Sequence, residues 1–155
     1  PIFENISINK LILSSISMLK LANKKVLINS KIDKRKDIIL KADPNLINQA
    51  FNNLAKNALN SITEKNSLVD DFKGEIIISL AIENNFCRLT MIDNGVGLPM
   101  NKEFLTEPYI SRSKNGSGIG LAVVKKIMQD HNGNIELENN KNHIGAKVSL
   151  LFPLN

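Results

Sequence analysis

Cysteine is almost absent: Cys87 is the single thiol in 155 residues. That excludes an internal disulfide framework and fits a reducing compartment. Tryptophan is missing, tyrosine occurs once and aromatics reach only 5%, so the chain lacks the stacking platform that single-stranded nucleic acids need. No apolar run approaches the roughly 20 residues of a membrane span, and no signal-peptide pattern opens the sequence. Repeats, low-complexity blocks and Pro/Gly/Ser-rich linkers are also absent, which leaves one domain. Arginine is scarce, with only Arg35, Arg88 and Arg112. The net charge of +5 (20 basic against 15 acidic residues) is therefore mostly lysine. Joint enrichment in Lys, Asn and Ile is what an AT-rich coding sequence gives any protein, so the charge reads as background rather than a nucleic-acid footprint. What is present is 43% hydrophobic residues, enough for a core without staples. The first residue is Pro1 rather than Met, so the expectation is a piece of something longer.

Ile8, Leu11, Ile12, Ser15, Ile16, Leu19 and Ala22 recur at helical spacing. Val26, Ile28 and Ile32, then residues 38–40, suggest two short strands around the tip Lys34-Arg35-Lys36, read as a solvated hairpin turn in preference to a binding site. Asp43-Pro44 starts a second helix, with Asp as N-cap and Pro as first helical residue. Its apolar face runs from Leu46 and Ile47 to Leu59 and Ile62. Residues 75–83 alternate as a strand, and Asn84-Asn85 turns into a partner over 86–92. Residues 93–117 hold Gly95, Gly97 and Gly116, with Gly118 and Gly120 just beyond, and are too long for an ordinary connector. A third helix follows through Leu121, Val124, Ile127 and Met128, ending near Asn132-Gly133. Strands over 134–138 and 146–152 close the chain. This order predicts a two-layer α/β sandwich with a mixed, mostly antiparallel sheet covered on one face by three helices.

Three features carry possible chemistry. Asn53 and Asn57 lie four residues apart on one side of the second helix. They are either genomic Asn bias on a solvated face or amide oxygens ligating a hard cation such as Mg²⁺. Asp93 keeps the parity of the apolar set Cys87, Leu89 and Met91, so it should point to the covered side of the sheet. There it is either a turn-capping carboxylate before two glycines or an acceptor for a ligand amine. Gly116-Ser117-Gly118-Ile119-Gly120-Leu121 leads into a helix, where glycine backbone and helix N–H groups favour phosphate. It is not a dinucleotide fingerprint, because no strand precedes it and Leu121 occupies the third glycine position. A Walker A loop is excluded by the absence of Gly-Lys-Ser/Thr.

In order and spacing these features resemble the ATP-binding catalytic domain of bacterial sensor histidine kinases, in the superfamily shared with gyrase B and MutL. Asp43 to Leu46 and Asn53-Leu54-Ala55-Lys56-Asn57-Ala58 resemble the family's N box. Asp93-Asn94-Gly95-Val96-Gly97-Leu98-Pro99 resembles its first glycine box, and Gly116 to Leu121 its second. Phe104-Leu105-Thr106-Glu107-Pro108-Tyr109 is similar to the F-box region. The likeness runs from about Ile8 to the C-terminus. Thr106-Glu107-Pro108-Tyr109 and Val124-Lys125-Lys126-Ile127-Met128 look most like the nitrogen-regulation NtrY type.

The resemblance implies a Bergerat-type ATP-binding fold over 8–155, with residues 1–7 a linker remnant. It implies ATP and Mg²⁺, with Asn57 as metal ligand through the phosphates and Asn53 in support. Asp93 would accept from the adenine amino group, with Gly95 and Gly97 passing close to the ring. Gly116, Ser117, Gly118, Ile119, Gly120 and Leu121 would form the lid and phosphate cradle, anchored by Phe104 and Tyr109, and Ala146 completes the implied ATP-binding set. Three positions depart from the family. A basic residue and an aromatic often found after the metal Asn are here Asn60 and Ser61, and a basic residue before the lid glycines is Ser113. Phosphate charge would then be met by Lys56, Arg112 or Lys114. No phosphoacceptor is present: His131 sits where the family ends a helix, and His143 lies in a polar turn. The implied partners are a helical dimerisation and His-phosphotransfer domain of the same homodimeric kinase and a response regulator, with no nucleic acid. The domain would be cytoplasmic, its parent free or anchored in the inner membrane. The alternatives are a nucleotide-binding regulatory module and an anti-sigma-type serine kinase of the same fold.

Overall fold

The computed structural model describes residues 1–98, 120–140 and 145–154. Strand β1 (Glu4–Ser7) runs directly into helix α1 (Ile8–Ala22), followed by β2 (Leu27–Lys31), β3 (Ile39–Ala42), α2 (Pro44–Asn66) and β4 (Glu75–Glu83). Then come β5 (Phe86–Asp93), α3 (Gly120–Asp130), β6 (Asn134–Asn139) and β7 (Ala146–Pro153). The main sheet has the order β2-β4-β5-β7-β6, with β2 and β4 parallel and every other neighbour antiparallel. The three helices cover one face: α2 lies between α1 and α3 and rests on β5, while α3 also packs on β6 and β7. This is the expected two-layer α/β sandwich.

Local sequence explains most of these elements. Ser7 caps α1 by accepting from the Lys10 N–H, and Ile8, Ile12 and Ile16 bury one stripe of the helix. Asn84 takes φ +53° in the two-residue turn between β4 and β5, a conformation Asn tolerates better than most residues. Across the sheet Ile78 faces Met91, Leu89 faces Leu150 and Cys87 faces Phe152, all buried beneath the helices. Burying each large apolar side chain contributes about 1.5–3 kcal/mol. Burial also pushes the Cys87 thiol up to about 11, so it packs as a small hydrophobe. The helix-free face of the sheet is closed by polar pairing instead. Arg88 of β5 bridges Glu83 of neighbouring β4 and, across the intervening β7, Glu136 of β6, and the Thr90 and Ser149 hydroxyls meet at 3.2 Å.

One expectation fails. Strands β2 and β3 do not form a hairpin around Lys34-Arg35-Lys36; β2 pairs with β4 and β3 pairs with β1. The segment between them lacks the Asn-Gly or Asp-Gly chemistry of a tight hairpin turn. Asp33 folds it locally by accepting from the Arg35 N–H at 2.9 Å. Buried Asn9 of α1 then takes over the chain, accepting from the Ile38 N–H at 2.8 Å and donating to the Asp33 carbonyl at 3.4 Å. The diverted chain presents β3 to β1, with Glu4 opposite Ala42 and Ser7 opposite Ile39.

Asp43 joins three parts of the domain. Its carboxylate caps α2 by accepting from Asn45 and Leu46, and it accepts from the Ile2 N–H at 2.8 Å. Its own N–H donates to His131 Nε2 at 3.1 Å. Because a backbone amide only donates, Nε2 is the unprotonated ring nitrogen, and Nδ1 carries the proton to the Ile127 carbonyl at 2.8 Å. The Ile2 N–H above all, with those of Leu46 and Asn45, holds the Asp43 carboxyl below its ordinary range. A carboxyl favoured as its anion in the folded state stabilises above its unfolded pKa of about 3.9 and loses that contribution as pH falls through the lower folded value. The melting-temperature gap between wild type and Asp43→Ala should therefore be full near neutrality and shrink below about pH 4. Thermal melts across pH check this; a constant gap would contradict it.

Candidate functional site

Helix α2 carries Asn53, Asn57 and Ser61 at successive four-residue intervals, so the three share one stripe. Asn53 is half-buried, Asn57 exposed and Ser61 buried. Asn57 faces the start of α3: a Cβ placed on Gly120 would lie 3.6 Å from its amide oxygen, an ordinary contact. The N–H groups of a helix's first turn have no partner within the helix, and together with the positive end of the helix dipole they favour an anion there. Lys56 is exposed beside this stripe.

Asp93 ends β5 with 6% of its surface exposed. Its Oδ1 accepts from the Gly95 N–H at 2.8 Å and from the Ala146 N–H at 3.4 Å. The carboxylate organises the turn, on the covered side of the sheet that its strand parity predicts. The loop that follows is fixed residue by residue. The Asn94 side chain accepts from the Glu75 N–H at 2.8 Å and donates to the Lys73 carbonyl at 2.9 Å. The Asn94 carbonyl accepts from Lys65 Nζ, which also sits 4.9 Å above the Phe72 ring. The Val96 N–H donates to Ser61 Oγ at 3.0 Å. Gly97 has φ +84°, where a side chain would be strained. The Leu98 N–H donates to Asn139 Oδ1 at 2.7 Å, and Asn139 Nδ2 donates back to the Leu98 carbonyl.

The structure thus brings Asp93, Gly95 and Ala146 together, and separately Asn57 and Gly120. Leu121 has its side chain in the hydrophobic core, so only its backbone is available to a ligand. Tyr109, Arg112, Lys114, Gly116, Ser117, Gly118 and Ile119, like Phe104 and His143, lie outside the described residues. His131 is 6% exposed, has both ring nitrogens engaged and packs edge-on against Phe3 and Phe152.

Four residues carry structural roles that sequence reasoning did not assign. Ser61 looked like a departure, yet its spacing from Asn57 places it on the same stripe. Asn94 and Asn139 were hidden by the abundance of Asn. Gly145 is dictated by crowding, since a Cβ there would sit 2.0 Å from the Asp93 carbonyl oxygen.

Residues 42–155 match the family of histidine kinase-, DNA gyrase B- and HSP90-like ATPases, and the chain belongs to that family. Among curated relatives, the nitrogen regulation protein NtrY of Azorhizobium caulinodans is 29% identical over 97% of this chain, and a putative NtrY-like sensor histidine kinase of Rickettsia typhi is 36% identical over 72% of it. The chain spans only 19% and 18% of those two proteins. Among solved structures, the catalytic domain of the histidine kinase ThkA superposes with a TM-score of 0.83 at 24% identity, covering 99% of this chain and 96% of that one. The mycobacterial sensor histidine kinase MprB superposes with a TM-score of 0.80 at 19% identity, covering 97% of each chain. The chain is thus a domain of this ATPase family, and the curated relatives it matches include NtrY-like sensor histidine kinases.

Proposed function

We propose that this domain binds ATP with Mg²⁺ and presents the γ-phosphoryl group to a histidine on a separate helical domain of the same homodimeric kinase, for relay to an aspartate of a response regulator. One observation carries the reading: a buried carboxylate, Asp93, ends a strand inside a loop held by side chains from α2, β5 and β6, while Asn57 faces the N-terminus of α3. Asp93 accepts from the adenine amino group, and Gly95 and Gly97 let the backbone approach the ring. The phosphates run toward Asn57 and Gly120, with Gly116 to Ile119 as the cradle and Lys56, Arg112 or Lys114 supplying positive charge. Ala146 supports the base pocket through its N–H to Asp93.

The donor set fits the metal. Asn57 offers a neutral amide oxygen at an exposed position beside a helix N-terminus, which suits an ion taking most of its ligands from phosphate and water. Bound Mg²⁺ neutralises phosphate charge; Asn57 would hold it, with Asn53 in support. Positioning and charge neutralisation are the main demands of phosphoryl transfer, and the acceptor imidazole is itself the nucleophile. His131 is not that acceptor, because both of its nitrogens are engaged in the fold.

Asn57→Ala should weaken Mg²⁺-dependent ADP binding at least about 10-fold and Mg²⁺-free binding much less. Calorimetry with and without EDTA checks this, and equal losses would remove the metal role. The kinase reading is tested by incubating the domain with γ-labelled ATP and the helical His domain of an NtrY-like kinase. Acid-labile label on that domain is expected. Acid-stable label would indicate transfer to serine, and no label would contradict kinase activity. Among the described residues no helix is long and apolar enough to cross a membrane.

A further inference from the structure

Among the described residues, the Ser17 and Thr63 hydroxyls turn back on their own helix, donating to the carbonyl four residues earlier at 3.1 and 2.9 Å. Ser15 Oγ lies 3.1 Å from the Leu11 carbonyl and 2.8 Å from Asn48 Oδ1 of α2, linking helix to helix. Ser61 makes a different connection. Its Oγ accepts from the Val96 N–H at 3.0 Å, reaching across from α2 to the loop after Asp93, and the residue is only 8% exposed. The two segments touch so closely that a Cβ on Gly95 would lie 2.2 Å from Ser61 Oγ and 2.6 Å from the Ser61 carbonyl carbon. A small residue on α2 and a glycine in the loop are therefore mutual requirements. The loop is drawn onto the helix at Ser61, while Asp93 Oδ1 holds the same turn from the other side through the Gly95 N–H.

We infer that Ser61 is a positioning residue for base recognition: by fixing Val96 it holds the Asp93–Gly97 turn in the geometry in which the Asp93 carboxylate meets an exocyclic amine. This inference rests on the nucleotide-binding reading above. Ser61 also lies one turn from Asn57, so a single helix sets both the amine-reading carboxylate and the phosphate end of the site. The hydroxyl acts through the loop, so its removal should cost most for ligands whose affinity depends on the Asp93 contact. Ligands that lack the amine should be indifferent to it.

The experiment compares ADP with purine riboside diphosphate, which carries hydrogen in place of the 6-amino group, on wild type and Ser61→Ala. Wild type should prefer ADP. Ser61→Ala should lose about 5- to 10-fold in ADP affinity and leave the affinity for the purine analogue unchanged, so the preference collapses. Equal losses for both ligands, or no loss for ADP, would overturn the positioning role. Absence of ADP binding by wild type would overturn the nucleotide reading and this role with it. Hydrogen exchange of the Val96 amide in the free wild-type domain gives a check that needs no variant. Slow exchange is expected, and exchange as fast as an unprotected amide would contradict the Ser61 bond.

Discussion

Asp93→Asn should lower ADP affinity by about 5- to 150-fold, equivalent to roughly 1–3 kcal/mol, while leaving the fold nearly intact. The two halves of this expectation come from different faces of the same group. Toward the protein, Asp93 Oδ1 accepts from the Gly95 and Ala146 N–H groups, and an asparagine oxygen can accept those same bonds. Toward the ligand, the carboxylate is an acceptor matched to an exocyclic amine, whereas the asparagine amide can also donate. The substitution should therefore reverse base preference as well as weaken it. Inosine diphosphate, with a 6-oxo group, should lose little affinity or gain some. Calorimetry with both nucleotides, together with a thermal melt, separates these effects. Unchanged ADP binding would remove Asp93 from base recognition.

Gly145→Ala should be the most damaging glycine substitution at the site. Its Cβ would sit 2.0 Å from the Asp93 carbonyl oxygen, 2.8 Å from the Asp93 carbonyl carbon and 2.9 Å from Asn94 Cα. All three are backbone atoms, so no side-chain rotation relieves the clash. The residue also has φ +155°, a region in which side chains are strained. Crowding and strain together should cost about 2–6 kcal/mol, lowering the melting temperature by roughly 5–20 °C. Any molecules that fold should bind ADP poorly, because the displaced atoms belong to the turn that carries Asp93. Gly120→Ala is the internal control. The nearest atom to its Cβ is 3.6 Å away, so stability should change by less than about 1 kcal/mol. Differential scanning calorimetry of the two variants distinguishes crowding from a general intolerance of alanine.

Elements with strong local signals were legible in the sequence. Asp43-Pro44 marks the start of α2, the apolar stripe of α1 gives that helix, and Asn84-Asn85 marks the β4–β5 turn; each places its code within a few residues. Strand partnership is different. Nothing local to Ile39–Ala42 says that its partner is Glu4–Ser7 rather than the strand just before it, because the deciding contacts involve Asn9 on α1. The site divides in the same way. The placement of Asp93 on the covered side was readable from strand parity, and the shared side of Asn53 and Asn57 from their four-residue spacing. Ser61 and Asn139 were not, because each acts on a loop backbone 35 or 41 residues away. Ser61 even counted as a departure from the family pattern, although its small size is what lets Gly95 lie against α2.

The central claim is that one nucleotide spans the Asp93–Gly97 turn and the Asn57–Gly120 end of this domain. The direct measurement is a titration of the ¹⁵N-labelled domain with ATP and Mg²⁺, followed by amide resonances. One-to-one binding is expected, with the largest shifts at Gly95, Gly97, Gly120 and Leu121 and at the Asn57 side-chain amide. The Mg²⁺-dependent component should concentrate at Asn57 and Gly120. Absence of saturable shifts, or shifts gathered on the outer sheet face around Arg88 and Glu136, would contradict the account.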